Sequence, residues 1–222
     1  GTGFDLPIAI GILVSNGIIE EEKVKDALVL GELSLDGTVN PVNGVLPIVC
    51  AAKEAGIKLC IIPKDNLKEG SIAQGIRLYG AESLKDVQDI LINNSLDGVS
   101  ANNPSDDFNK KYEAKSKEVK FDGVISEGVI LADSLNEEED YLDIRGQYSA
   151  KRATLIAAAG MHNIMYVGPP GSGKTMLAKR IPTILPDMTD EEKLKVTKIY
   201  SVAGKLDAEK GLITRRPFRS PH

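Results

Sequence analysis

Hydrophobic and polar positions divide the chain into two patterned stretches with an unpatterned one between them. In residues 1–92 the run from Ile8 to Ser15 is apolar on nearly every side, which predicts a buried helix. Asp5 is placed to cap it, Pro7 lies in its first turn and Gly17 stops it. "ALVLGELSL" (Ala27 to Leu35) is strand-like, and Asp36-Gly37 is a hairpin signal that returns the chain into "TVNPV". Val45 to Gly56 reads as a helix closed by glycine. Lys58 to Pro63 reads as a buried strand and Ile76 to Gly80 as another. In the helix predicted over Ser83 to Ile92, Leu84, Val87 and Leu91 share one face. These elements make residues 1–92 a compact α/β domain.

From Asn93 the texture changes. Asn, Ser and Asp stand where a core needs apolar residues, so residues 93–140 read as a polar linker or exposed excursion. Periodicity returns at Tyr141. "SAKRATLIAAAG" is an alanine-rich helix with Ser149 as cap and Gly160 as stop. "HNIMYV" (His162 to Val167) is a strand-like run, and "TMLAKRI" (Thr175 to Ile181) is a helix. "TDEEKLKVTKIY" opens with a capping box, Thr189 and Glu192, and "GLITRRPFRSPH" is loop-like. Residues 141–222 hold only about half of a nucleotide-binding fold.

Between that strand and helix lies "GPPGSGKT": Gly168, Pro169, Pro170, Gly171, Ser172, Gly173, Lys174 and Thr175. The spacing is that of a phosphate-binding loop. Gly171 and Gly173 can adopt backbone angles closed to other residues, which turns successive N–H groups inward onto phosphate oxygens. Lys174 adds a point charge for the β- and γ-phosphates, and the Thr175 hydroxyl can ligate Mg²⁺. A helix N-terminus behind the loop favours the same negative charge. The stretch is therefore a nucleotide site.

Composition changes this picture little. With 42% hydrophobic and 27% charged residues the chain is an ordinary globular protein, and "PIAIGILV" is far too short to span a bilayer. A net charge of −5 argues against generic nucleic-acid binding by charge alone. The one dense basic spot is Arg215, Arg216 and Arg219 beside Phe218, which suits phosphate contact or a solvated loop. Cys50 and Cys60 sit among apolar neighbours, and the two histidines, His162 and His222, cannot assemble a metal set. Buried thiols in a reducing cytoplasm are the expectation.

Three stretches together resemble one family: "GTGFDLPIAIGILVSNG", "GELSLDGTVNPVNGVLPIVCAAKEAG", and "IRGQYSAKRATLIAAAGMHNIMYVGPPGSGKTMLAKRIPTILP" continuing to "RPFRSPH". They are similar to the Mg-chelatase-like AAA+ proteins of the ComM/YifB type. The resemblance implies an α/β fold in which a Lon-protease-like domain (ribosomal S5 domain 2-like) precedes the first part of a P-loop AAA+ domain. It implies a bacterial cytoplasmic ATPase that uses ATP with Mg²⁺, forms a ring, expected to be a hexamer, and acts on branched DNA in recombination after natural transformation. Gly146 and Gln147 match the family stretch near the adenine, so Ile144 to Gln147 border either the base or only the loop packing.

Lon-type proteases use a Ser nucleophile and a Lys base. The matching positions here are Phe4, or Asp5 with a one-residue shift, and Leu46, none of which can do that chemistry. Two other readings stay open: the ATPase subunit of a metal chelatase, and a nucleotide-dependent scaffold. Hydrolysis also needs acidic residues at the end of a second apolar strand. After Thr175, Asp190 to Glu192 open a helix, and Asp207 and Glu209 lie in a polar stretch. The expectation is that residues are missing at both ends, that this second strand and a finger arginine lie beyond His222, and that the chain alone does not hydrolyse ATP.

Overall fold

The computed structural model describes residues 2–93, 140–206 and 211–219. Most of the expected linker, together with Asp207, Glu209 and His222, lies outside them. Among the described residues, 2–93 with 196–206 and 211–212 form one compact unit, and 140–195 with 213–219 form a second.

The first unit is built on a parallel three-stranded sheet of β1 (Ala27–Val29), β4 (Leu59–Pro63) and β5 (Arg77–Ala81), with β4 central. Ala27 pairs with Leu59, and Leu59 with Arg77. Every residue of β4 is buried, as an unbroken apolar run requires when both sheet faces are covered. Leu59 and Ile61 join Val87, Ile90 and Leu91 of α4 (Leu84–Asn93) and Leu6 and Ile10 of α1 (Asp5–Ser15) in one core. Each such side chain contributes about 1.5–3 kcal/mol on burial. Cys60 is buried too, which pushes its thiol up to about 11, so it stays protonated and inert. α2 (Val45–Glu54) follows its predicted range, and Gly56, at φ +81, turns the chain into β4.

Two expectations for this unit need correction. α1 begins at Asp5 itself, Phe4 precedes it, and no side chain caps it. Nor is it buried all round: Leu6 and Ile10 are inside, whereas Ile8 is 59% and Ile12 56% exposed. Packing against a single layer covers one stripe of a helix, however apolar the others are. The second correction concerns Ala27 to Leu35, which splits into β1 and β2 (Glu32–Leu33) at Gly31. A Cβ there would stand 2.8 Å from Val39 Cγ1 and 3.0 Å from Leu6 Cδ2, so only glycine allows the chain to pass from the parallel sheet into a hairpin. β2 pairs antiparallel with β3 (Val39–Asn40), and the Asp36-Gly37 turn forms as expected, with Gly37 at φ +88 and Gly37 N–H donating to Ser34 O at 2.9 Å.

A short helix that the pattern did not predict, α3 (Leu67–Gly70), carries Glu69 into a polar cluster. One of its oxygens accepts from Leu46 N–H at 2.9 Å, in the first turn of α2, and from the Ser201 hydroxyl; the other accepts from Asn66 at 3.2 Å. Leu46 and Ser201 are buried, so donors left without an acceptor there cost about 1–3 kcal/mol each. Glu69→Ala is expected to destabilise this unit by at least that amount, with Glu69→Gln recovering much of it. A chemical-denaturation midpoint for each variant checks this; an unchanged midpoint in Glu69→Ala contradicts the assigned role.

In the second unit a 3-10 turn, Tyr141–Asp143, opens with a reciprocal cap between Asp140 and Asp143. α5 (Tyr148–Ala159) starts from Gln147 in a left-handed conformation, φ +52, so Ser149 lies inside the first turn and caps nothing. His162 to Val167 carries no regular structure and forms no β-ladder, because no strand runs beside it among the described residues. Its alternation survives: Ile164 and Tyr166 turn inward, while Met165 and Val167 are exposed. Alternation dictates which side each residue faces, but a strand also needs a partner. α6 (Lys174–Arg180), a 3-10 turn at Ile181–Ile184 and the start of α7 (Asp190–Val202), whose residues from Val196 on belong to the first unit, complete the regular elements.

The capping box of α7 is present, with Glu192 N–H donating to Thr189 Oγ1 at 3.2 Å and Thr189 N–H to Glu192 at 2.9 Å. That amide and the nearby Arg216 hold the Glu192 carboxyl below the ordinary glutamate value of 4.5. A depressed carboxylate stabilises the fold above its unfolded value and loses that contribution as pH falls through the folded one. Acidification below about pH 4.5 is therefore expected to loosen the start of α7, and Glu192→Gln to remove that part of the pH dependence, read by circular dichroism.

Candidate nucleotide-binding site

The site begins in the backbone. Gly171 and Gly173 both take left-handed angles, φ +78 and +84, that other residues avoid. A Cβ at either would meet nothing within 4 Å, so the demand for glycine comes from the conformation and not from crowding. Successive turns of this kind can form a concavity that N–H groups line; here the Ser172 N–H closes one of them onto Pro169 O at 3.3 Å. Gly173 precedes α6, and its carbonyl accepts from Leu177 N–H at 2.9 Å, so the helix begins directly behind the loop.

Lys174 folds over this concavity. Its Nζ donates to Gly168 O at 2.8 Å, Pro169 O at 2.7 Å and Ser172 Oγ at 3.3 Å. The ammonium thus sits among three oxygens of the loop. Thr175 is exposed in the first turn of α6, and Leu177, on the opposite side, is buried. Hence the helix anchors through its apolar face and leaves its polar residues at the loop.

The stretch from Ile144 to Gln147 reaches the same place. Gly146 and Gln147 both have positive φ, +69 and +52, and the Gln147 side-chain amide donates to Ser172 O at 3.3 Å. Ile144 itself packs into the small core with Tyr141 and Leu177. Lys151, on α5, was not singled out by the sequence. Its Nζ donates to Ile144 O at 2.7 Å and stands 5.8 Å from the centre of the Tyr141 ring, whose hydroxyl donates to Lys151 O. Arg180 donates to Asp140 O at 3.1 Å, and Tyr141 N–H to the Thr183 hydroxyl at 3.2 Å. Thr154, 1% exposed, shares a 2.6 Å hydrogen bond with the Tyr166 hydroxyl. Residues 140–147 are in this way tied to the helix that follows the loop. A lysine within an otherwise alanine-rich helix was the signal available for Lys151.

The positions matched to the Lon-type dyad fall elsewhere. Phe4 is 71% exposed, while Leu46 is fully buried with its N–H on Glu69. Among the described residues no cluster of three or more His, Cys, Asp or Glu could hold a metal ion, and no helix is long and apolar enough to cross a membrane.

Comparison with known proteins identifies the family that the chain resembles. Residues 140–222 match the family described as magnesium chelatase, subunit ChlI, and residues 1–66 match subunit ChlI of Mg-chelatase. Over its whole length the chain is 37% identical to competence protein ComM of Haemophilus influenzae and 34% identical to the uncharacterized protein YifB of Escherichia coli. It spans 39% and 38% of those two proteins. Lon protease 2 of Bacillus subtilis is 36% identical over 100 residues, 42% of this chain and 18% of that protein.

Proposed function

The chain belongs to the Mg-chelatase-like AAA+ proteins of the ComM/YifB type, an ATPase family, and from that premise we propose that it is the ATP-binding part of a ring-forming motor that acts on DNA. The observation that carries the nucleotide half of the proposal is the loop. Two left-handed glycines curl it, and Lys174 Nζ already sits among oxygen acceptors.

Residues Gly168 to Thr175 would hold the triphosphate, backbone N–H groups and Lys174 bearing its charge, with the Thr175 hydroxyl on Mg²⁺. ATP with Mg²⁺ supplies the transferable phosphoryl group when bound. Gln147, bonded to Ser172 O, places the Ile144 to Gln147 stretch beside the loop, where it would border the adenine. Ring assembly, expected to be hexameric, and the DNA substrate rest on the family and on the name of its competence-protein member. A cytoplasmic location follows from the same reading.

The first unit is proposed to be a Lon-like fold without Lon chemistry. Phe4 and Leu46 stand at the reactive positions, and neither can act as nucleophile or base. No cleavage of unfolded casein is expected; cleavage abolished by replacing a serine within residues 1–92 contradicts this. The chelatase alternative is favoured by the descriptions of the two matched families, and it is separated by one assay. Branched DNA stimulates phosphate release in the proposed reading, whereas porphyrin-chelatase partner subunits stimulate it in the other. Stimulation by neither, with ATP bound, leaves the scaffold reading.

A further inference from the structure

We propose that Arg215, Phe218 and Arg219 form a contact for single-stranded nucleic acid, the two guanidinium groups on phosphates and the ring stacked on a base. The proposal rests on the DNA reading above and gives it a place on the molecule.

The three arginines of this segment are not equivalent. Arg216 is committed inward: its Nε donates to Pro186 O at 2.8 Å, and its guanidinium pairs with Glu192 at 3.2 Å. Glu192 is itself fixed by the capping box of α7. The middle arginine therefore anchors the segment to a helix start. Arg215, Pro217, Phe218 and Arg219 stay exposed, with Phe218 showing 43% of its surface. Among the described residues neither Arg215 nor Arg219 has an acidic partner, in a chain carrying 32 acidic residues against 27 basic ones. On the same unit, Lys193 and Lys195 are neutralised locally by Asp190 and Glu191.

Two guanidinium groups without an acidic partner among the described residues, on either side of an exposed aromatic residue in the sequence, match what a single strand presents. Planar guanidinium forks fit phosphate oxygens, and a ring face accepts any base. Pro217, with its fixed φ, limits the freedom the segment would lose on binding. An acidic polypeptide would satisfy the arginines but leave Phe218 without a role, so nucleic acid is the better fit.

Fluorescence anisotropy of a labelled single-stranded DNA oligonucleotide, titrated with the intact protein over a salt series, tests this. Phe218→Ala is expected to weaken binding roughly tenfold at fixed salt, as loss of one stacked base does. The Arg215→Ala, Arg219→Ala double variant is expected to reduce the slope of log affinity against log salt by about 1.4, for two phosphate contacts. Replacement of both arginines by lysine should keep that slope. All three variants should bind ATP as the parent does. Oligonucleotide binding unchanged in Phe218→Ala and in the double alanine variant overturns the proposal while leaving a DNA-acting ATPase intact. A parent that binds no DNA overturns it together with the DNA half of the proposed function, but not the nucleotide half. Loss of ATP affinity in the arginine variants would assign the cations to a nucleotide phosphate, and displacement by polyglutamate with no effect of Phe218→Ala would assign them to an acidic polypeptide. Either result overturns it.

Discussion

Lys174→Ala is expected to lower the affinity for ATP with Mg²⁺ by roughly 10- to 150-fold, since a charge-assisted hydrogen bond to a phosphate contributes about 1.5–3 kcal/mol. Two consequences of the geometry favour the upper part of that range. Lys174 is the cation seated inside the loop, and its Nζ also ties Gly168 and Pro169 to Ser172. Alanine thus removes both the charge that meets the triphosphate and the link that keeps the loop curled. Gly171 and Gly173 remain in place, so a residual site built from backbone N–H groups should still bind weakly. Fluorescence titration with an ATP analogue reads this directly, and circular dichroism confirms that the variant is folded. Equal affinity in parent and variant would remove the loop from the site.

The second large effect concerns turnover. The 222-residue chain, assayed alone, is expected to bind ATP but to release phosphate far more slowly than a full-length member of the family, since turnover needs an acid that orients water and the described acids after the loop are not placed for it. Three of the acids that follow the loop are already engaged at the start of α7. Asp190 pairs with Lys193 at 2.9 Å, Glu191 with Lys195 at 2.6 Å, and Glu192 holds Thr189 N–H and Arg216. None of the described acidic residues after Thr175 ends a strand, where a carboxylate could orient a water or hold Mg²⁺ through one. Phosphate release at matched protein and Mg²⁺ concentrations measures the difference. Comparable rates would mean that an acid of this chain had been overlooked.

Elements whose own run of residues carries a periodic or local signal were legible in advance. β4 is a continuous apolar run, α4 shows its buried face at helical spacing, Asp36-Gly37 makes its turn, and the capping box of α7 spans four residues. What failed depends on partners distant in sequence. The exposure of Ile8 and Ile12 depends on how many layers pack around α1, which hydrophobicity alone does not encode. The break at Gly31 arises from Val39 and Leu6 crowding the same point. Glu69 looks like any surface glutamate until Leu46 and Ser201, the latter 132 positions away, are brought to it. The loop itself was legible because its geometry is set by its own two glycines, whereas Lys151, which supports the neighbouring stretch, needed the fold to be seen.

The measurement that bears most directly on the central claim is a crystal structure of the protein with Mg²⁺ and a non-hydrolysable ATP analogue. The β-phosphate is expected within the curl of Gly171 to Thr175, Mg²⁺ on the Thr175 hydroxyl, and Lys174 Nζ released from Gly168 O and Pro169 O to the β- and γ-phosphates. A nucleotide bound elsewhere, or a Lys174 still bonded to its own loop carbonyls beside a bound triphosphate, would contradict it.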